Sequence, residues 1–358
     1  MAEDIDDLRA RIEEIDKGIL ELVARRTEAA RSIGRLKMAA SLPLRDQVVE
    51  DKVVSRFVEN GASLGVSEGT AAQISSILIR ESVDAQSTLP KPSKPKDVLV
   101  IGGAGKMGSW ICKYLRSRGH KVIVSDLVES TDFHNASDLE SAVSRSDFIV
   151  IATPISVVSK CLERLMRLQP AGVVFDISSI KTPIVSNLKE AVRKGINACS
   201  VHPMFGPETE SIFNRNIIMC DCGSEGALDA ATELMNWGGA RMIRMRIEDH
   251  DELMAYVLGL SHAVNIAFFH ALTRAEIDYM TLDKVASTTF RKQAATSRDV
   301  AFENPELYYE IQHLNPRNRR ALELLANAVE EIREAASSED KRPLAEIMEN
   351  GRKYFGGN

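Results

Sequence analysis

Residues 98–126, VLVIGGAGKMGSWICKYLRSRGHKVIVSD, join an apolar run, the glycine series Gly103-x-Gly105-x-x-Gly108, an amphipathic segment and a second apolar run ending in Asp126. In the order strand, turn, helix, strand, this spacing suits a dinucleotide pyrophosphate. The turn presents backbone N–H groups and the partial positive charge of a helix N-terminus. Gly103 is expected to make the tight turn, Gly105 to admit the pyrophosphate and Gly108 to let helix and strand pack, with Gly102, Lys106 and Met107 completing the loop. Asp126 should accept from the ribose hydroxyls and repel a 2′-phosphate, so NAD is expected rather than NADP. Thr153-Pro154 closes a later strand at the edge where doubly wound sheets bind ligands. Two more loops leave strand ends, Asp176-Ile177-Ser178-Ser179-Ile180-Lys181 and Val201-His202-Pro203-Met204-Phe205-Gly206-Pro207. A histidine beside proline and glycine in an exposed loop reads as a working side chain rather than core filler. His262, on a long apolar helix, fits a hydrogen-bonded core histidine as well as a site residue.

A second set of polar residues lies before this motif. Arg26 and Lys37 are eleven residues apart, about three helical turns, and so share a face. Asp46 and Glu50, then Ser82 and Gln86, are each spaced i, i+4. Arg9 stands roughly 26 Å along the axis from Arg26, so one copy of the helix cannot bring both to one small ligand. In a twofold dimer, Arg9 of one chain could enter the pocket of the other. A solvated charged face with ordinary i, i+4 pairs gives the same pattern.

The elements that must position these groups follow from periodicity. Ile5, Leu8, Ile12, Ile15, Ile19, Leu22, Val23, Ala30 and Ile33 recur at helical spacing, and a helix can run from Ile5 to Met38 before Pro43 stops it. That helix is about 50 Å long, too long to bury its stripe against two short helices, which predicts an intertwined dimer. Shorter helices are expected near 44–60 and 67–87, with a turn at Asn60-Gly61-Ala62-Ser63. Residues 87–97, STLPKPSKPKD, form a stiff polar linker with three prolines and three lysines. Beyond Asp126, strands read at 147–152, 172–176, 197–201 and 216–220, and helices near 138–145, 155–168, 181–194 and 225–237. A long helix over 248–276 carries His262, and later helices carry Arg291 and Arg298. The expected architecture is multidomain: an all-α N-terminal domain (1–90), a linker (91–97), a Rossmann α/β domain (98–245) and an all-α domain for substrate binding and dimerisation (246–358).

Bulk properties narrow the classes. The chain has 358 residues, 44% hydrophobic and 27% charged, as ordinary globular proteins do. Its net charge of −6 divides evenly between residues 1–92 and the rest, which argues against nucleic-acid binding. No apolar run approaches the roughly 18 residues of a membrane span, and the acidic start MAEDIDD is unlike a signal peptide. Five scattered cysteines without a CxxC pair suit a reduced, cytoplasmic protein with inert thiols, and no metal is called for.

Two family resemblances bear on function. Through DLRARIEEID, RRTEAARSIGRLK, PLRDQVVE and ESVDAQ, residues 1–88 resemble the all-helical chorismate mutases, intertwined dimers that convert chorismate to prephenate. The resemblance implies that Arg26 and the partner chain's Arg9 bind the two carboxylates. Lys37 and Gln86 would donate to the ether oxygen, Asp46 and Ser82 would position the substrate, and Glu50 would hold the ring hydroxyl. Bacterial members often carry an arginine where this chain has Val49, so one secondary contact is missing. Through VIGGAGKMG, DISSIK, SVHPMFGP, LSHAVNIAF, TTFRKQAATSRD and NPELYYEI, residues 96–320 resemble prephenate dehydrogenases. This implies His202 as the base on the ring hydroxyl, Ser179 as its hydrogen-bonding partner and His262 as a substrate-binding residue. It also implies Arg291 as a carboxylate-binding residue, with Arg298 near a second such position. Together the resemblances imply a bifunctional enzyme of tyrosine biosynthesis that uses NAD, acts on chorismate and prephenate, and forms a homodimer.

Two other readings fit the residues. One is a different NAD-dependent dehydrogenase, such as a 3-hydroxy acid dehydrogenase, although those usually carry a lysine on the long helix and residues 248–276 contain none. The other makes the N-terminal helices a silent dimerisation or regulatory module. Clustered Arg26, Lys37, Glu50 and Gln86 argue against that, because interface cores are depleted in charge.

Overall fold

A computed structural model describes residues 4–40, 46–87, 94–236 and 239–356. Pro43 and residues 88–93 of the expected linker lie outside them.

The chain begins with three helices, α1 (Ile5–Ala39), α2 (Gln47–Ser63) and α3 (Glu68–Ser87). Asp4 caps α1 and Asp46 caps α2 through their side chains, satisfying N–H groups that a helix start leaves unpaired. α2 does not stop at the expected turn. It continues through Gly61 to Ser63, and the reversal falls at Leu64–Gly65, where Gly65 takes a φ of +76°. On α1, Ala30 is buried, but Ile12, Ile15, Ile19 and Leu22 remain more than half exposed.

The next stretch alternates strands and helices: β1 (Asp97–Ile101), α4 (Lys106–Ser117), β2 (Lys121–Ser125), β3 (His134–Asn135), α5 (Leu139–Arg145), β4 (Phe148–Ile151), α6 (Ile155–Leu168), β5 (Val173–Asp176), α7 (Val185–Arg193), β6 (Ala198–Pro203), β7 (Asn216–Asp221), α8 (Glu225–Met235) and β8 (Arg241–Arg246). They build one sheet of order β3-β2-β1-β4-β5-β6-β7-β8. β1 to β6 pair in parallel and β7 joins β6 antiparallel. The chain reverses its direction of growth between β1 and β4, the switch point at which doubly wound sheets hold ligands. Val98, Val100, Val150, Phe175, Cys199 and Val201 point to one face, against Ile111 and Leu115 of α4 and Ala231 and Met235 of α8. Leu99, Ile149, Ile151 and Val174 point to the other and are equally buried. Burial on both faces is why these strands read as unbroken apolar runs. β8 has no counterpart in the sequence reading, because its alternation of arginine with apolar residues is weak.

A second compact unit comprises residues 154–156, 179–186 and 246–358. Its helices are α9 (Ile247–Met254), a π-helical segment (Ala255–Leu260), α10 (Ser261–Arg274), α11 (Tyr279–Lys284), α12 (Thr288–Ala301), α13 (Pro305–Leu314), α14 (Asn318–Ser337) and α15 (Arg342–Tyr354). The single helix expected over 248–276 is therefore interrupted by a wider turn. There the Gly259 carbonyl accepts from Gln312 Nε2 at 2.8 Å, and the Gly259 Cα packs against the side chain of Asn318. The continuous stretch Ile247–Arg274 has the length and composition of a membrane span, contrary to the reading that no such segment exists. Leu253, Tyr256 and Val257 along it are exposed.

The glycine loop is set by backbone contact. Gly102, at the end of β1, has a φ of +85°. A methyl group on Gly108 would stand 2.0 Å from the Gly102 carbonyl oxygen. The tight turn thus belongs to Gly102 rather than Gly103, whose constraint is the Val124 side chain. Gly108→Ala should destabilise this unit by about 1–3 kcal/mol, the usual cost of forced overpacking, and abolish NAD binding. Urea unfolding and NAD titration check this; a variant with unchanged NAD affinity contradicts the packing argument.

Candidate active sites

In the helical domain, α1 and α2 both pack on α3. Arg26 Nη1 donates to the Leu78 carbonyl at 2.6 Å and, over a short contact, to Ser82 Oγ. Burial, with Arg56 nearby, pulls the Arg26 guanidinium below its ordinary value. Ser82 and Gln86 are both buried, and Gln86 Oε1 has no hydrogen-bond partner. An amide with one end unsatisfied and a cation with no ion pair among the described residues are groups arranged for a polar guest. Lys37, in the last turn of α1, and Glu50, in the first turn of α2, are half-buried. Asp46 is exposed and accepts from the Val49 N–H at 3.2 Å, so its visible task is to cap α2. Arg9 is exposed and pairs with Asp6 at 3.1 Å. The structure brings Arg26 and Ser82 together and keeps Arg9 on the far stretch of α1.

In the sheet domain the groups converge on strand ends. Gly105 caps α4 without any side-chain hydrogen bond, so Lys106, Met107 and Gly108 begin a helix whose first N–H groups no side chain caps. Asp126 follows β2 directly, with Oδ2 accepting from the Ala104 N–H at 2.9 Å and Oδ1 from Leu127 N–H at 2.7 Å. The carboxylate expected on the ribose therefore also ties down the glycine loop. An open helix start, a loop with no room for a Cβ at Gly102, Gly103 or Gly108, and an acidic group at the next strand end fit a dinucleotide. Thr153 follows β4, with the thiol of Cys161 beside it. Pro154 is exposed.

His202 is not in an exposed loop. It lies inside β6, paired with Ile218 of β7, and only 3% of its surface is exposed. The antiparallel ladder continues to Pro203↔Ile217, so Pro203 prolongs the strand instead of ending it. Ser200 and Asp176 are neighbours in the β5–β6 register and share its buried face.

In the second unit, Ser179 is half-buried at the start of the 179–186 segment. That segment is held by a carboxylate that no sequence motif marks. Asp251 of α9 accepts from Lys181 N–H at 2.9 Å, from Thr182 N–H at 2.6 Å and from His250 Nδ1 at 2.7 Å. Burial raises the Asp251 carboxyl, but these hydrogen bonds outweigh it and hold the group below its ordinary value. His250 and Lys181 are fully buried. Adjacent histidine and aspartate have no distinguishing spacing, so nothing in the sequence marked them. His262 stacks on Tyr308 at 4.4 Å between ring centroids, its Nδ1 lacks a partner, and burial pushes its pKa down, so it is neutral near pH 7. Arg291 and Arg298 project from α12 into solvent. Arg291 Nη2 donates to the Asp283 carbonyl at 3.2 Å, and Arg298 lies over the Phe302 ring at 5.7 Å. Glu310 of α13 accepts from Ile155 N–H at 3.1 Å and Ser156 N–H at 3.2 Å, covering the start of α6.

These features define a dinucleotide-dependent dehydrogenase preceded by a helical domain with a part-buried cation. Residues 8–87 match the family chorismate mutase type II, 111–244 the nucleotide-binding domain of prephenate dehydrogenase, and 246–350 its dimerization domain. The chain belongs to these families: it is a chorismate mutase type II domain fused to the NAD-binding and dimerization domains of a prephenate dehydrogenase, the bifunctional organisation of tyrosine biosynthesis. The T-protein of Haemophilus influenzae is 23% identical over 99% of this chain and 93% of its own length. A probable arogenate/prephenate dehydrogenase of Methanocaldococcus jannaschii is 27% identical over 72% of this chain, which spans 61% of that protein. The solved prephenate dehydrogenase of A. aeolicus, in complex with hydroxyphenyl propionate and NAD+, shares the fold with a TM-score of 0.61, at 20% identity over 74% of this chain and 98% of that one.

A carboxylate with a lowered pKa stabilises the fold above its unfolded value, near pH 4, and loses that contribution as pH falls through the folded value. Asp251→Asn should therefore lose about 3–5 kcal/mol at pH 7, as when a buried pair is broken, and the gap from the natural protein should narrow below about pH 4. Urea unfolding across pH measures it; a gap independent of pH refutes the charged hydrogen-bonded role.

Proposed function

We propose that the two reactions run at two separate sites of one chain, with the residue roles as follows. In the mutase pocket, Arg26 and the partner chain's Arg9 hold the two carboxylates of chorismate in the compact conformer. Lys37 and Gln86 donate to the ether oxygen as its bond to carbon breaks and negative charge builds there. Asp46 and Ser82 position the substrate, and Glu50 holds the ring hydroxyl. The rearrangement needs no nucleophile and no metal. The observation that carries this half is the part-buried Arg26–Ser82 contact, one helical turn from the unsatisfied Gln86 amide.

In the dehydrogenase site, the backbone of Gly102 to Gly108 receives the pyrophosphate and Asp126 the ribose, with Thr153 and Pro154 on the adjoining strand end. NAD, when bound, accepts the hydride from the ring carbon that bears the hydroxyl. His202 takes the hydroxyl proton, and Ser179 is assigned as the hydrogen-bonding partner that the family resemblance implies for it. The alcohol carbon becomes a carbonyl, and the ring carboxylate departs as carbon dioxide. The bonding pair it leaves enters the ring, and the resulting phenolate recovers a proton from His202. His262, Arg291 and Arg298 bind the substrate's polar groups. His202 carries this half, because a histidine buried inside the paired β6–β7 ladder has a fixed geometry.

Prephenate is proposed over arogenate because the fused mutase makes it. The dimerization domain and the exposed apolar face of Ile247–Arg274 support a homodimer in which that face is covered by a second copy. The scattered cysteines suit a place in the cytoplasm.

Lys37→Ala should lower mutase turnover about 100–1,000-fold and leave oxidation of added prephenate intact; normal mutase turnover would remove Lys37 from the site. His202→Asn should slow hydride transfer by about 100–10,000-fold, with far smaller changes in prephenate and NAD affinity and no change in the mutase. A large loss of prephenate binding with little loss of turnover would make His202 a binding residue and His262 the better base.

A further inference from the structure

The segment after His202 is held from two directions. Phe205 meets the Trp110 ring edge-on at 4.9 Å, and Trp110 Nε1 donates to the Thr209 carbonyl at 2.8 Å. Trp110 lies on α4, the helix whose start faces the pyrophosphate. From the other side comes α3, a helix of the mutase domain. Ser211 Oγ donates to Asp84 over a short contact and accepts from the Phe213 N–H at 3.1 Å. Val83 stands against Gly239, beside Phe213. The Arg118 guanidinium at the end of α4 lies over Tyr114 at 5.0 Å and is close enough to Asp84 to act on its charge. Burial holds the Asp84 carboxyl above its ordinary value, against the pull of Ser211. The three helices and the sheet accordingly fall in one compact unit.

The phase of α3 gives this contact its meaning. Ser82 and Gln86 lie four residues apart, on the side where Arg26 meets Ser82. Asp84 lies two residues from each, about 200° around the helix. One helix thus presents mutase residues on one face and a dehydrogenase tether on the opposite face.

We infer that Asp84, a residue of the mutase domain, is a positioning residue of the dehydrogenase: through Ser211 it fixes the 204–212 segment between His202 and the cofactor helix. His202 itself is held independently by the β6–β7 ladder. Loss of the tether therefore loosens the substrate's surroundings and leaves the base in place. The inference rests on the role proposed for His202.

The test is steady-state oxidation of added prephenate by the full-length protein carrying Asp84→Ala, Asp84→Asn, Ser211→Ala, the Asp84→Ala/Ser211→Ala pair or, separately, His202→Asn. Asp84→Ala and Ser211→Ala should each raise the prephenate KM about tenfold, as expected for loss of a hydrogen bond to a charged group, with kcat within about twofold. The pair should be no worse than either alone, because both remove the same contact. Asp84→Asn keeps an acceptor for Ser211 and should restore the natural KM. Mutase turnover should not change in any of them. Unchanged KM in Asp84→Ala and Ser211→Ala overturns the inference. So does a parallel loss of kcat and thermal stability without rescue by Asp84→Asn, which would make the contact merely structural. A normal kcat in His202→Asn overturns the base assignment instead, and is read independently of the tether.

Discussion

The dehydrogenase half depends on a close approach between two pieces of backbone. The Gly102 carbonyl occupies the space that a side chain on Gly108 would need. That approach lets α4 start directly behind β1, so its first N–H groups face the strand ends at the switch point. Asp126 adds a second tie by accepting from Ala104, which makes one carboxylate serve both the loop's shape and the expected ribose contact. The anion site is thus built from main chain, which costs little reorganisation when a phosphate arrives.

The two chemistries ask different things of the protein, and the two sites differ accordingly. A pericyclic rearrangement needs a substrate held compact and a polar lining for charge that appears at one oxygen. Donors on stiff helices, Arg26 on α1 with Ser82 and Gln86 on α3, suit that need. Oxidation with decarboxylation needs a base at a fixed distance from a cofactor edge. Under the proposed assignment β6 provides it, because His202 is buried within a paired ladder. The network around Asp251 fixes the 179–186 segment in the same manner, by hydrogen bonds to backbone N–H groups.

Much of this was legible in the residues because the signals are periodic or sterically forced. The stripe on α1 located a helix that runs from Ile5 to Ala39, and the glycine spacing located the dinucleotide loop. The failures have common causes. His202 was expected in an exposed loop because Pro203 and Gly206 signal a turn. An antiparallel partner, β7, can prolong a strand past a proline, and although the apolar run at 216–220 reads as a strand, no local pattern announces that it pairs with β6. The turn after α2 was placed at Gly61, yet a helix tolerates one glycine when the next one, Gly65, can take a positive φ. The π-helical turn at Ala255–Leu260 shifts the apolar pattern by too little to be seen. His250 and Asp251 became visible only when the 179–186 segment was found lying on them, a contact between residues about 70 apart in sequence.

One chain makes prephenate and then oxidises it. The most direct measurement is the progress curve of the purified protein given chorismate, with and without NAD. Without NAD, chorismate should be consumed and prephenate should accumulate. With NAD, reduced cofactor should appear after a lag that vanishes when prephenate is supplied, with one carbon dioxide released per hydride transferred. Chorismate left unconsumed in the absence of NAD, or hydride transfer without release of carbon dioxide, would contradict it.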